Sequence, residues 1–284
     1  MQNEKIEFRK ARDFGGIIND TFAFARQNIA LMFKSLLFIA GPLVLLQGIF
    51  AGLYGARSAL LITGKAMQNP FDAVFGIEYL LLLVFALLSY TMITIITLEF
   101  VVLYAARGPE GITVDALWQL TKKDFWMMVL TIIGNFFVII FSMLLLIIPG
   151  IYFSIVVSLV PIMRIQERIG YFASVRRSMR LVSGSWWFTL GLFIILALIV
   201  GMMGSVLGLP SMALSFLSVF HKADVTGYFY KALFIATGIV QQFSAFFSAI
   251  VLIAVGFLYY SLVEKKEGTG LLKKVEEIGT TKAV

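Results

Sequence analysis

Between Phe125 and Met163 the chain runs 39 residues without a charged side chain, interrupted only by Pro149-Gly150. At 1.5 Å per helical residue that run is long enough to cross a hydrocarbon core of about 30 Å twice, turning at the Pro-Gly. Similar apolar runs on either side predict helices over Leu31–Leu53, Glu78–Ala106, Trp126–Leu146, Ile148–Arg164, Trp186–Gly208 and Leu233–Val263. The fourth is short, and one span followed by a re-entrant half-helix is the alternative reading of residues 125–163. The pattern predicts an all-α, polytopic integral membrane bundle of about six transmembrane helices. It forms a single transmembrane domain, with a cytoplasmic tail at 264–284.

Three segments share a second pattern, and each precedes an apolar run. They begin at Ile18, Val114 and Val175, with Phe22, Trp118 and Met179 four residues on. Polar or basic residues follow, before an aromatic or aliphatic residue opens the next span. Spacing four sets Val175, Met179 and Val182 on one helical face, with Arg176, Arg177 and Arg180 off it. Such an amphipathic helix lies in the interface with its cations among the headgroups, and Trp186 and Trp187 fall where an aromatic belt belongs. The reading is a threefold pseudo-repeat over about 14–106, 111–164 and 170–263, each unit an interfacial helix plus a hairpin of spans. Gly48-x3-Gly52 and Gly204-x3-Gly208 occupy similar places in the first and third units and read as close helix packing. Loops 54–77 and 209–232 are expected on the side opposite the termini.

Charge sets the orientation. The chain has 23 Lys and Arg residues. Only Arg57, Lys65, Lys222 and Lys231 lie opposite the termini, which leaves 23 − 4 = 19 on the terminal side. The positive-inside bias therefore puts both termini in the cytoplasm. The net charge of +7 accompanies basic residues scattered beside apolar runs and not gathered in one patch, so anionic lipid, not nucleic acid, is the expected partner. With 60% hydrophobic residues and a mean hydropathy of +0.94, little is left for a soluble domain. The absence of cysteine excludes disulfides and thiolate chemistry. No cleaved signal peptide is read at the charged N-terminus.

Candidate chemistry is sparse. His221 is the only histidine and cannot build a typical zinc site. Gly64-Lys65 is not a phosphate loop, because Ala66 stands where Ser or Thr would hold magnesium. Glu99 is the residue singled out, a carboxylate inside the apolar run about two turns before Arg107, with Lys34 or Arg107 as expected partners. Gln47, Asn135, Gln241 and Gln242 are further polar groups in spans, available for interhelical hydrogen bonds or for lining a cavity. Pro42 and Pro161 are expected to kink their helices or to free a carbonyl. Basic residues placed to meet lipid or a partner are Arg26, Lys122, Lys123, Arg176, Arg177 and Arg180. No metal ligands and no cofactor site are read. After Val263, Leu271, Leu272, Val275 and Ile278 form a weak apolar face.

Ile148-Pro149-Gly150-Ile151-Tyr152, Leu159-Val160-Pro161-Ile162-Met163 and the stretch from Ser174 to Ser178 with Leu181, Gly184, Trp186 and Trp187 carry a resemblance. Over roughly Asp124–Val200 the chain resembles the membrane domain attached to some glycerophosphoryl diester phosphodiesterases, and related six-helix bacterial proteins of unknown function. The resemblance implies a helical integral protein of a bacterial inner membrane. It does not extend to the hydrolase, because a single histidine and few clustered acids cannot assemble that enzyme's metal site. The expectation is a non-enzymatic scaffold or accessory subunit in envelope or lipid-related processes, binding anionic lipid or a membrane or cytoplasmic protein partner. The alternative is a small-solute or lipid transporter using Glu99 and the proline-broken helices.

Overall fold

In the computed structural model, residues 6–62, 75–220 and 227–268 are described. Within them every regular element is helical: α1 (Phe14–Ser35), a π-helical turn (Leu36–Ala40), α2 (Gly41–Ile62), α3 (Ile77–Arg107), α4 (Val114–Leu145), α5 (Ile147–Ser158), α6 (Val160–Gln166), α7 (Tyr171–Val182), α8 (Trp186–Phe220), α9 (Tyr228–Gln242), a 3-10 turn (Phe243–Phe247) and α10 (Ser248–Glu267). Six stretches are long and apolar enough to cross a membrane, namely Phe14–Ala59, Ile77–Arg107, Val114–Leu145, Ile147–Gln166, Trp186–Ser218 and Tyr228–Glu267. The chain is an all-α multi-pass membrane protein. His221, Lys222 and Lys65, the Gly64-Lys65 stretch and the tail beyond residue 268 lie outside the described residues.

The helix boundaries follow local chemistry. Thr113 caps α4, its hydroxyl accepting from the Ala116 N–H at 3.1 Å, with Asp115 in the first turn. The chain reverses at Leu146, an extended residue (φ −163°, ψ 149°), and not at the Pro149-Gly150 pair. Pro149 falls in the first turn of α5, where a missing N–H costs nothing. Gly150 lies against Met143, so closely that a Cβ there would overlap it. Pro161 likewise does not kink a continuous helix. The break comes at Leu159, and Pro161 sits in the first turn of α6. Pro42 has no N–H for the carbonyl four residues back, and the preceding turn widens to a π-helix in which the Gly41 N–H reaches Leu36 O.

Helix extends into both segments expected as loops, 54–77 and 209–232. α2 continues to Ile62, and α8 continues through Pro210 to Phe220. The Ser, Met, Ala and Leu residues after Pro210 are compatible with helix, and a membrane helix tolerates an internal proline.

The chain divides into two compact units. The first comprises residues 1–34, 94–197 and 250–284. Its core is aromatic: Phe8 stacks on Phe257 at 4.2 Å, and Phe24 meets Phe100 and Tyr104 edge-on. From residue 252 to 262 every residue of α10 is buried. Gly256 lets this helix approach α3, since a Cβ there would stand 2.7 Å from Val101 Cγ1. Arg12 is buried in this unit, its guanidinium 4.8 Å from the Phe257 ring centroid and bonded to Asp20 at 2.6 Å.

The second unit comprises residues 35–93 and 198–249. Its tightest seam joins α2 to α9. A Cβ on Gly238 would lie 2.7 Å from both Gly48 O and Gly52 N, and one on Gly48 would lie 2.6 Å from Ile239 Cα. Between apolar helices in lipid no hydrophobic force drives association, so van der Waals contact through small residues carries the seam. The second Gly-x3-Gly pair behaves differently. Gly204 has only Ser244 nearby and Gly208 has open space.

Candidate functional site

Two buried acids of the first unit converge on one partly exposed arginine. Glu99 on α3 and Asp124 on α4 are 2% and 4% exposed. Arg168, in the connection after α6, donates through Nη1 to Asp124 Oδ1 at 2.5 Å and through Nη2 to Glu99 Oε1 at 3.5 Å. The expected partners Lys34 and Arg107 do not fill this role: Glu99 is held by Arg168, which comes from a connection 69 residues further along the chain. Lys34 and Arg107 are exposed.

Local structure aims Arg168 at this pair. It follows the C-cap of α6, where the Glu167 N–H returns to Met163 O. Its φ of 54° makes it the only non-glycine residue with positive φ among those described. A left-handed residue just past a helix end is a recurrent stop, usually glycine. An arginine there is held by what its side chain reaches. Arg164 Nη1 secures the same connection, donating to Ile169 O at 2.8 Å. The hydrogen bond to Asp124 holds the Arg168 guanidinium above its ordinary pKa, so it stays cationic.

One guanidinium thus faces two carboxylates. Asp124 Oδ2 finds no donor among the described residues, nor do the buried hydroxyls of Thr97 and Thr121. The arrangement ties the connection after α6 to α3 and α4 by charge. Among the described residues no group of three or more His, Cys, Asp or Glu side chains could hold a metal.

A second network fixes α7. Arg177 Nε bonds Glu167, while Nη1 and Nη2 reach Glu267 at 2.8 and 3.1 Å. The hydrogen bonds to Glu267 push the Arg177 guanidinium above its ordinary pKa. Tyr259 donates to Glu167 at 2.8 Å, Tyr260 to Gln166 at 2.9 Å, and Lys266 to Ser183 O at 2.6 Å. Arg176 and Arg180 are exposed. The buried face of α7 is Ser174, Ser178, Leu181 and Val182. Of the face expected to lie down in the membrane, Val182 is buried and Val175 and Met179 are half-buried. The serine hydroxyls satisfy themselves on Gly170 O and Val156 O and leave room for close approach.

The remaining candidates distribute over both units. In the first, Asn135 accepts from Tyr171 at 3.2 Å and donates to Val157 O at 3.2 Å, joining α4, α5 and α7. Lys122 and Lys123 are exposed, Lys122 lying 5.4 Å from the Trp118 ring centroid. Arg26 is exposed on α1, Trp186 stacks on Tyr152, and Trp187 is 78% exposed. In the second unit, Gln47 donates to Gln242 at 2.9 Å and accepts from Ser89 at 2.5 Å. Gln241 accepts from Ser211 at 2.6 Å. Asp124, Arg168, Arg12, Glu167 and the Tyr259-Tyr260 pair were not singled out by sequence. The only trace of Asp124 was its position at the edge of the long uncharged run, and Arg168 stood among several basic residues beyond its other end. Comparison with protein-family models, curated proteins and solved structures finds no match for the chain.

Proposed function

We propose that this is a non-enzymatic scaffold or accessory subunit of a bacterial inner membrane, acting in envelope or lipid-related processes. Its termini and basic connections face the cytoplasm, and it belongs with the six-helix group whose motifs it resembles. The observation that carries the reading is the occurrence of exposed cations together with exposed aromatics in the first unit. Arg176, Arg180, Lys122 and Lys123 are exposed, as are Phe172, Trp126 and Trp187. Cations among headgroups and aromatic rings at the interface are the chemistry of an anionic leaflet, at about 1 kcal/mol per cation. Arg177 is set apart from this surface, because its charge is already met by Glu167 and Glu267.

The test is anionic lipid retained by the purified full chain, read by native mass spectrometry. Arg176→Gln, Arg180→Gln, Lys122→Gln and Lys123→Gln combined should strip phosphatidylglycerol selectively over phosphatidylcholine. Unchanged retention overturns the proposal. Transport through Glu99 is less well supported, since that carboxylate sits against a fixed arginine.

A further inference from the structure

A cleft of about 510 Å³ opens in the second unit among α2, α8 and α9. Its volume falls within the range of small-molecule sites. Its polar lining is Ser205, Ser211, Ser215, Thr237 and Gln241, with Gly208 open between them. Phe234, Met212 and Ala51 supply apolar wall, and among the described residues no charged side chain lines it. On α8 the polar and small positions recur at spacings of three and four, while exposed Met202, Val206, Leu209 and Phe216 lie off that face. Hydroxyls and an amide in so apolar a helix pair are costly toward hydrocarbon. They are gathered on the cleft.

Donors and acceptors in the cleft are unequal. Ser205, Ser215 and Thr237 each spend their proton on a carbonyl of their own helix, Met202 O, Ser211 O and Leu233 O. What they offer a visitor is a lone pair. Gln241 spends its carbonyl oxygen on Ser211, so its NH₂ is what remains, and no acceptor for it is found among the described residues. The cleft therefore asks for a molecule with a hydroxyl to donate, a carbonyl to accept, an apolar body and no charge.

We infer that this cleft binds an uncharged glycerolipid of the diacylglycerol type, its ester carbonyl on the Gln241 amide and its free hydroxyl on the serine oxygens of α8. A phospholipid of the same chain length brings a phosphate for which the lining has no cation. A fatty alcohol lacks the carbonyl. This site is separate from the basic surface of the first unit and does not depend on it.

The test is photolabelling of the full chain in nanodiscs with a diacylglycerol carrying a diazirine in one acyl chain, mapped by peptide mass spectrometry. A side chain at Gly208 grows into open space, as does one at Gly201, which does not line the cleft. Gly208→Leu should cut labelling of residues 205–215 and 234–241 by about tenfold, as should Gln241→Leu, the equivalent of a tenfold change in affinity. Gly201→Leu should label like the wild type. Unlabelled dioleoylglycerol should compete, and phosphatidylglycerol should not. Equal labelling in Gly208→Leu, equal competition by phosphatidylglycerol, or a wild type carrying no label at the cleft would each overturn the inference. Retention of phosphatidylglycerol on the basic surface is read separately and stays unchanged in these variants.

Discussion

Arg168 donates to Asp124 at 2.5 Å from a backbone in the left-handed region, at φ 54°. The side chain and the backbone make opposite demands. Glycine would suit the conformation, but only the guanidinium satisfies the buried acids. Removing one partner of a buried pair costs about 3–5 kcal/mol. The Arg168 side chain is 44% exposed, so solvent screens part of that loss and about 2 kcal/mol is expected. Arg168→Leu should lower Tm in detergent, and adding Asp124→Asn should recover part of the loss. No recovery would mean the arginine acts through packing alone.

The two acids should not be equivalent. Glu99 meets the guanidinium at 3.5 Å, the outer limit of a hydrogen bond, whereas Asp124 is held at 2.5 Å. Glu99→Gln gives up only this long contact, and an amide of the same shape still fills the site, so its effect on Tm should be small. Asp124→Asn should be the more destabilising substitution. The reverse order in a thermal shift series would reassign the main contact to Glu99.

The α2–α9 seam makes a prediction from steric reach. A Cβ at Gly238 meets the backbone of Gly48 and Gly52 at 2.7 Å, and backbone cannot rotate away. Gly238→Ala should cost about 1–3 kcal/mol through overpacking. Gly201→Ala meets nothing within 4 Å and should gain about 0.8–1 kcal/mol of helix propensity. Opposite signs in Tm for the two alanine variants are the expected outcome. Similar signs would mean the close approach is not maintained in the membrane.

The parts of this architecture visible in sequence are those set by local composition. The uncharged stretch Phe125–Met163 fixed two spans because hydropathy needs no partner to be read. Glu99 was legible as an anomaly for the same reason. Its partner was not, because Arg168 looked like one more cytoplasmic cation in a basic connection, and only the fold brings it to α3. Asp124 was hidden by position, one residue before the uncharged stretch. The turn was misplaced by three residues because Pro-Gly is a strong turn signal, and Pro is as well suited to a helix's first turn. Gln47 and Gln241 both read as polar groups in spans. Which one closes on Ser89 and Gln242, and which one lines the cleft, depends on helix rotation, which the pattern does not encode.

Arg176, Arg177 and Arg180 look alike in sequence, and the structure separates them. Arg177 holds Glu167 with Nε and Glu267 with both terminal nitrogens, tying α7 to the end of α10. Arg176 and Arg180 are exposed. Arg177→Gln removes one cation from between two carboxylates, while Tyr259 still donates to Glu167. The end of α10 should then open more readily, and hydrogen exchange over residues 262–268 should speed up. Arg176→Gln should leave that exchange at the wild-type rate. Because these pairs are partly solvated, the wild-type protection should itself weaken as the Debye length falls from about 8 Å at 0.15 M salt to about 3 Å at 1 M. The Arg177→Gln variant should show little of that salt dependence. Equal exchange in Arg177→Gln and Arg176→Gln would return Arg177 to the lipid-facing set and remove its role in seating the C-terminal helix.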